Sequence, residues 1–175
     1  MSHLEERTTV ACALPQAALR IRHFFVEHGG ADGDAAKLML RLDVPVPGLK
    51  VGMTLQRAVV ARIESHHLPA DMGARYRVQW APQIPGPFPL FSGELLVEGG
   101  SDYGSFSLVL SGDYTPPLGI VGKRFDLAVG NRVARATAHK LLLQMRDFIE
   151  RDFDADEARE PHVATSRIAV GAGEV

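Results

Sequence analysis

The step near residue 115 constrains this chain more than any other feature. Phe106, Leu108, Leu110, Gly112 and Tyr114 alternate with Ser105, Ser107 and Ser111, the period of a half-buried strand. Pro116-Pro117 then ends it, since proline has no N–H for a ladder. From about Gly122 to Phe153 the period changes. Phe125, Val129, Val133, Ala136, Leu141, Leu142, Met145, Phe148 and Ile149 recur mainly at spacings of three and four, with Lys123, Arg124, Arg132, Arg135, Lys140 and Arg146 on the wet side. The pattern predicts one long helix whose apolar side must be covered by what precedes it.

What precedes it is mostly strand. Thr8 to Leu14 reads as a first strand, and Pro15 then suits the first turn of a helix. Ala17, Ala18, Leu19, Ile21, Phe24, Phe25 and Val26 give that helix an apolar side through His28, and Gly29-Gly30 stops it. Lys37 to Val44 is predicted as a strand, the alternative being a short helical turn from Ala35 to Leu40 capped by Asp34. After the Val46-Pro47-Gly48 turn, Val51, Met53, Leu55, Val59, Ala61 and Ile63 share one parity of a long strand. Ser65 to Gly73 is a polar loop. Tyr76, Val78 and Trp80 alternate with Arg75, Arg77 and Gln79, and Pro82 to Pro89 breaks the pattern. Phe91, Leu95 and Val97 form another strand, and Gly99-Gly100-Ser101-Asp102 predicts a hairpin into the strand from Phe106. Beyond Phe153 the sequence turns acidic and then Gly/Ala-rich.

This order predicts an α+β domain over residues 7–153: a curved antiparallel sheet of six or seven strands wrapped around the long C-terminal helix, with 154–175 as a disordered tail. A twisted sheet closed by a helix suggests a hollow between the two.

Several function classes are excluded or disfavoured. The net charge is −2 and no Lys/Arg block exists, so the footprint of a nucleic-acid binder is missing. The polar, acidic start lacks the features of a secretory signal, and no apolar run approaches the roughly 18 residues of a membrane span. A single cysteine, Cys12, permits no intrachain disulfide. A cytoplasmic monomer or homodimer is expected.

Candidate chemistry is sparse. His66-His67 are adjacent, so strand geometry would send them to opposite faces, and they read as surface-loop residues. His23 and His28, five apart, miss the same-face spacing, so no metal or other cofactor is expected. Cys12 shares parity with Val10 and Leu14 and reads as a small core residue, not a nucleophile. Asp126 and Arg132 look like a structural pair. Arg57 falls on the apolar parity of its strand. It either reaches a pocket, where an acid or a ligand anion must meet it, or is turned outward by a bulge near Ala58. Trp80, Phe88, Phe91, Phe106, Tyr114 and Phe125 can line an apolar cavity, with the Tyr76 and Tyr114 hydroxyls inside it. No P-loop, dinucleotide fingerprint or nucleophile elbow is present.

Three stretches carry a resemblance to a known superfamily: Val46-Pro47-Gly48 leading into the long strand; Tyr76 to Trp80 followed by Gly86 to Gly93; and Leu108 to Tyr114 with Pro116-Pro117-Leu118-Gly119 and the helix through Phe125, Asp126 and Arg132. Over roughly residues 7–152 the layout resembles the START-like, polyketide-cyclase-type (SRPBCC) superfamily, the helix-grip fold. The resemblance implies a domain that holds a lipid, polyketide or aromatic metabolite between sheet and C-terminal helix. The expected ligand-binding residues are Arg57, Tyr76, Trp80, Phe91, Phe106, Tyr114, Phe125 and Met145, with no catalytic residue. The alternatives are a cyclase, dehydratase or hydrolase polarising its substrate with Arg57, Tyr76 or Tyr114, and a co-chaperone-like protein-interaction module.

Overall fold

A computed structural model describes residues 2–29, 35–45, 54–66, 74–83, 89–99, 102–115 and 123–159; the side chains of 42–45, 54–57, 66 and 123–129 lie outside the description. The elements are β1 (Ser2–Val10), α1 (Leu14–Gly29), β2 (Ala35–Pro45), β3 (Thr54–His66), β4 (Arg75–Pro82), β5 (Leu90–Gly99), β6 (Phe106–Thr115) and α2 (Lys123–Glu157). The six strands form one antiparallel sheet in the order β1-β6-β5-β4-β3-β2, so the chain's first two strands are its edges.

The long helix lies between those edges. Arg135 pairs with Glu6 of β1 at 3.7 Å, and Lys140 donates to the Arg41 carbonyl of β2. Near its other end, Glu150 accepts from the Ala11 N–H at 2.8 Å. These contacts orient α2: its N-terminal half faces the sheet end that carries Ser2 and Tyr114, and its C-terminal half faces the end that carries Val10 and Phe106. The sheet grips the helix, as the sequence implied, and the domain is α+β.

Each strand buries its inward parity, and β6 also buries Ser107 and Val109 of the other. Ala36, Leu38 and Leu40; Val59, Ala61 and Ile63; Tyr76, Val78 and Trp80; Phe91 and Leu95; and Phe106, Leu108, Leu110 and Tyr114 all face the helix. Helix α1 closes the Val10–Phe106 end. Ala17, Ile21, Phe24 and Phe25 are buried at helical spacing, and Phe24 meets Phe148 of α2 edge-on with ring centroids 5.3 Å apart. Leu141, Leu142, Met145 and Ile149 fill the rest of that end.

Four expectations need correction. The first strand is Ser2–Val10, not Thr8 to Leu14. Its polar run hid it: His3, Glu5 and Arg7 point outward, which suits an edge strand, while the buried Leu4 anchors the inward parity. Leu14 already belongs to α1, at 43% exposure. Leu19 and Val26 of α1 and Ala136 of α2 face solvent, because the buried stripes are narrower than the apolar residues in the sequence. Helix α2 continues to Glu157, since Asp152 and Asp156 of its last turns are held by Arg20.

Candidate functional site

The inward side chains divide into two regions. At the end closed by α1, the core is filled. Tyr76 meets Phe25 edge-on at 5.3 Å, and Phe106 is wholly buried opposite Val10 and Gly99. Met145 is fully buried on the C-terminal half of α2. These three expected ligand-binding residues pack against α1 or the core around it. Tyr76 is deep enough that burial pushes its phenol up to about 12.

At the opposite end, register places Trp80, Phe91 and Tyr114 side by side on β4, β5 and β6. Trp80 and Phe91 stack face to face, centroids 3.9 Å apart and planes 9° from parallel. Beneath Phe91 lies a cross-strand pair of glycines, Gly93 opposite Gly112. A methyl group on Gly112 would come within 2.8 Å of Phe91 Cζ, and one on Gly93 within 2.6 Å. The missing side chains give the Phe91 ring its place and let the sheet bend. A chain with few tight turns in its strands obtains curvature here without a bulge, since every described ladder keeps one register throughout.

The helix opposite this row changes composition. Among the described side chains, Gly130, Val133, Ala134, Thr137 and Ala138 are its buried residues on the N-terminal side, mostly small, against Leu141, Leu142, Met145 and Ile149 further on. The Thr137 hydroxyl is spent on the Val133 carbonyl at 2.8 Å, so it presents only a small apolar surface. Small residues on the helix thus face large rings on the sheet. The Trp80 indole is 2% exposed, and its Nε1 is buried without a hydrogen-bond partner among the described residues. An indole N–H left in this state costs free energy, and buried tryptophans ordinarily find an acceptor.

The Arg57 and Phe125 side chains lie outside the described residues, as do Phe88, His67 and the side chains of His66 and Asp126. The backbone pairing of Arg57 with Leu42 continues the β2–β3 register, so the ladder has no bulge at Ala58. Arg132 is exposed. Tyr76 and Tyr114 do not converge. Tyr76 lies in line with Leu95 and Leu110, and Tyr114 is four residues further along β6, ~13 Å away at strand rise. Depressions outlined by the described residues include one of about 470 Å³ and one of about 380 Å³, the latter set between β2 and the C-terminal half of α2. The larger is on the outward face of the sheet and the smaller lies beside the β2 edge.

Sequence reasoning missed one cluster. Arg20 is buried on the core stripe of α1, and its Nη1 donates to Asp152 Oδ2 at 3.0 Å, Asp156 Oδ2 at 2.6 Å and the Asp152 carbonyl at 3.2 Å. His23 Nδ1 reaches the same Asp152 oxygen at 2.9 Å. Burial alone would raise the Asp152 carboxyl, but the hydrogen bonds from Arg20 and His23 and their charges outweigh it and hold it below the ordinary range. Arg20 shares the stripe of Ala17, Ile21 and Phe24, a signal that was present in its spacing. The cluster ties α1 to the end of α2. Cys12 lies nearby, wholly buried just after β1, and burial pushes its thiol up despite the Arg20 charge, so it is protonated at neutral pH. Among the described residues, no three His, Cys, Asp or Glu side chains gather as metal ligands, and no helix is long and apolar enough to cross a membrane.

No protein-family model matches the sequence, and no curated protein matches it. Solved structures similar to this chain include a protein from Thermus thermophilus (12% identity, TM-score 0.48, covering 86% of this chain and 99% of the other). A START superfamily protein from Mycobacterium smegmatis is similar at 12% identity and TM-score 0.43, covering 87% and 97%. The Zhui aromatase/cyclase of a Streptomyces species is similar at 15% identity and TM-score 0.41, covering 90% and 93%. At these identities the likeness is one of fold. The strand order and the gripped C-terminal helix of the chain itself are those of a helix-grip fold.

Proposed function

We propose that this protein binds a small hydrophobic ligand, a lipid, polyketide or aromatic metabolite, between the Trp80–Phe91–Tyr114 row and the N-terminal half of α2. Binding is non-covalent and non-catalytic, and needs no metal. The observation that carries this is the Trp80 indole N–H: buried, stacked on Phe91 and unpartnered among the described residues. A carbonyl or hydroxyl on an otherwise apolar ligand would accept from it, while the aromatic faces and the small residues Gly130, Ala134 and Ala138 supply the apolar wall. The filled core around Tyr76, Phe106 and Met145 forms the floor of the site and its support.

Trp80 is the chain's sole tryptophan, so its emission reports on the site alone. Titration with the neutral dye Nile red is expected to quench Trp80 saturably, and a long-chain fatty acid or an aromatic ketone should displace the dye. Replacing Ala134 by Phe, which fills the wall opposite the row, should abolish dye binding while leaving the far-ultraviolet circular dichroism unchanged. Quenching that stays linear with dye, or that survives Ala134→Phe in a folded protein, would refute the assignment.

A further inference from the structure

The outward face of the sheet carries side chains that the interior site does not use. Two rows run across β2–β5. Register aligns Met39, Val60 and Ala81, with Leu90 next in line beside Ala81. The adjoining row holds Lys37, Arg62, Gln79 and Ser92. Met39 and Leu90 are 53% and 51% exposed, among the largest apolar side chains that the fold leaves in water. Lys37, Arg62, Gln79 and Ser92 together with Val60, Ala81 and Leu90 border the depression of about 470 Å³, and Met39 borders the smaller one.

The charges are what make this face unusual. Lys37 stands directly opposite Arg62 across the β2–β3 ladder, the position in which like charges repel. Elsewhere on the same face Arg7 pairs with Glu98 at 2.8 Å and Arg75 with Glu94 at 3.4 Å, Arg77 stands opposite Glu64 and Glu94 across its two ladders, and Arg41 stands opposite Ala58. Among the described residues neither Lys37 nor Arg62 has an acid within ion-pair distance, and Glu64, the next outward residue of β3, pairs with neither. In a protein of net charge −2, two facing cations beside an apolar row form a local field of the opposite sign.

We propose that this face docks an acidic, amphipathic segment of a partner protein, its apolar side chains on the Met39–Leu90 row and its carboxylates on Lys37 and Arg62. The rows span three strand spacings, ~14 Å, about the length of ten helical residues. A second copy of this chain fits poorly, because a two-fold contact through the patch would set the cations of one copy against those of the other. An anionic lipid surface would find two large apolar side chains to accept, too few to hold a bilayer. A carboxylate between Lys37 and Arg62 removes their repulsion, so docking and the local electrostatics favour each other.

The probe is a short fluorescein-labelled helical peptide with glutamates along one edge and leucines along the next, compared with its lysine counterpart by fluorescence anisotropy against the full chain. The glutamate peptide is expected to bind and the lysine peptide not. Amide shifts should move at Lys37, Met39 and Arg62. Lys37→Glu should weaken binding by about fivefold or more. The same substitution places opposite charges across the ladder, so its Tm should not fall, which separates lost docking from lost fold. Equal binding of both peptides, or unchanged binding by Lys37→Glu, would overturn the proposal. So would pelleting with phosphatidylserine-containing vesicles that Lys37→Glu abolishes while the glutamate peptide fails to bind, which would assign the face to lipid instead.

Discussion

A methyl group on Gly112 would sit 2.4 Å from Gly93 Cα and 2.6 Å from the Ser92 carbonyl, backbone atoms that cannot swing aside. Gly112→Ala is therefore expected to cost about 3 kcal/mol, a fall in Tm on the order of 10 °C, and to shift Trp80 emission as Phe91 is displaced. A thermal melt within a degree or so of wild type would show that the ladder tolerates the side chain. Tyr76 offers a second residue-level test. Its phenol titrates near 12 when folded, against an ordinary value of 10.0, so the folded state favours the protonated form. That preference is fully present below pH 10 and is lost at about 1.4 kcal/mol per unit as pH rises from 10 towards 12. Denaturant melts across this window should show the loss in wild type and a smaller one in Tyr76→Phe. At this scale the parity of Tyr76, Trp80 and Phe91 was legible because strands alternate strictly. The grouping was not: Tyr76 and Trp80 share one strand and one face, yet only Trp80 lies in the row with Tyr114, and that depends on pairing registers no local pattern encodes.

Between elements, Arg20 is the tie that matters. It meets two carboxylates and a carbonyl at the end of α2, where negative charge is otherwise unfavourable to the helix dipole. Removing one partner of a buried pair costs several kcal/mol, but the carboxylates here are 26% and 43% exposed. Arg20→Ala is expected to destabilise by about 2 kcal/mol, read from denaturant midpoints at neutral pH. Because the Asp152 carboxyl is held below its ordinary value, its contribution is present above about pH 4 and is lost as acid protonates the folded form. Arg20→Ala should therefore lose less stability than wild type between pH 5 and pH 2; parallel acid curves would show that Asp152 gains nothing from Arg20. The helix end was hard to read because Asp154, Asp156 and Glu157 look like the start of a tail, and only the position of Arg20 on α1 gives them a helical partner. We place the domain's edge just beyond them. A chain ending at Arg159 should melt within about 2 °C of the full chain, since residues 160–175 offer few apolar side chains. One ending at Phe153, without Asp156, should melt distinctly lower.

For the molecule as a whole, the order strand, helix, meander, long helix was enough to read the architecture, because a long amphipathic helix after six strands leaves few ways to bury both. The function was less legible, since a container is a shape and its contents are set by side chains brought together from β4, β5, β6 and α2. The central claim is that the Trp80 end of the interior holds a hydrophobic ligand. Native mass spectrometry of the freshly purified full chain tests it most directly, with Ala134→Phe prepared alongside. Wild type should carry an added mass that organic extraction removes and identifies as an apolar metabolite with an oxygen acceptor, and Ala134→Phe should carry none. Wild type at its bare sequence mass, together with no saturable uptake of added lipid or aromatic ketone, would contradict it.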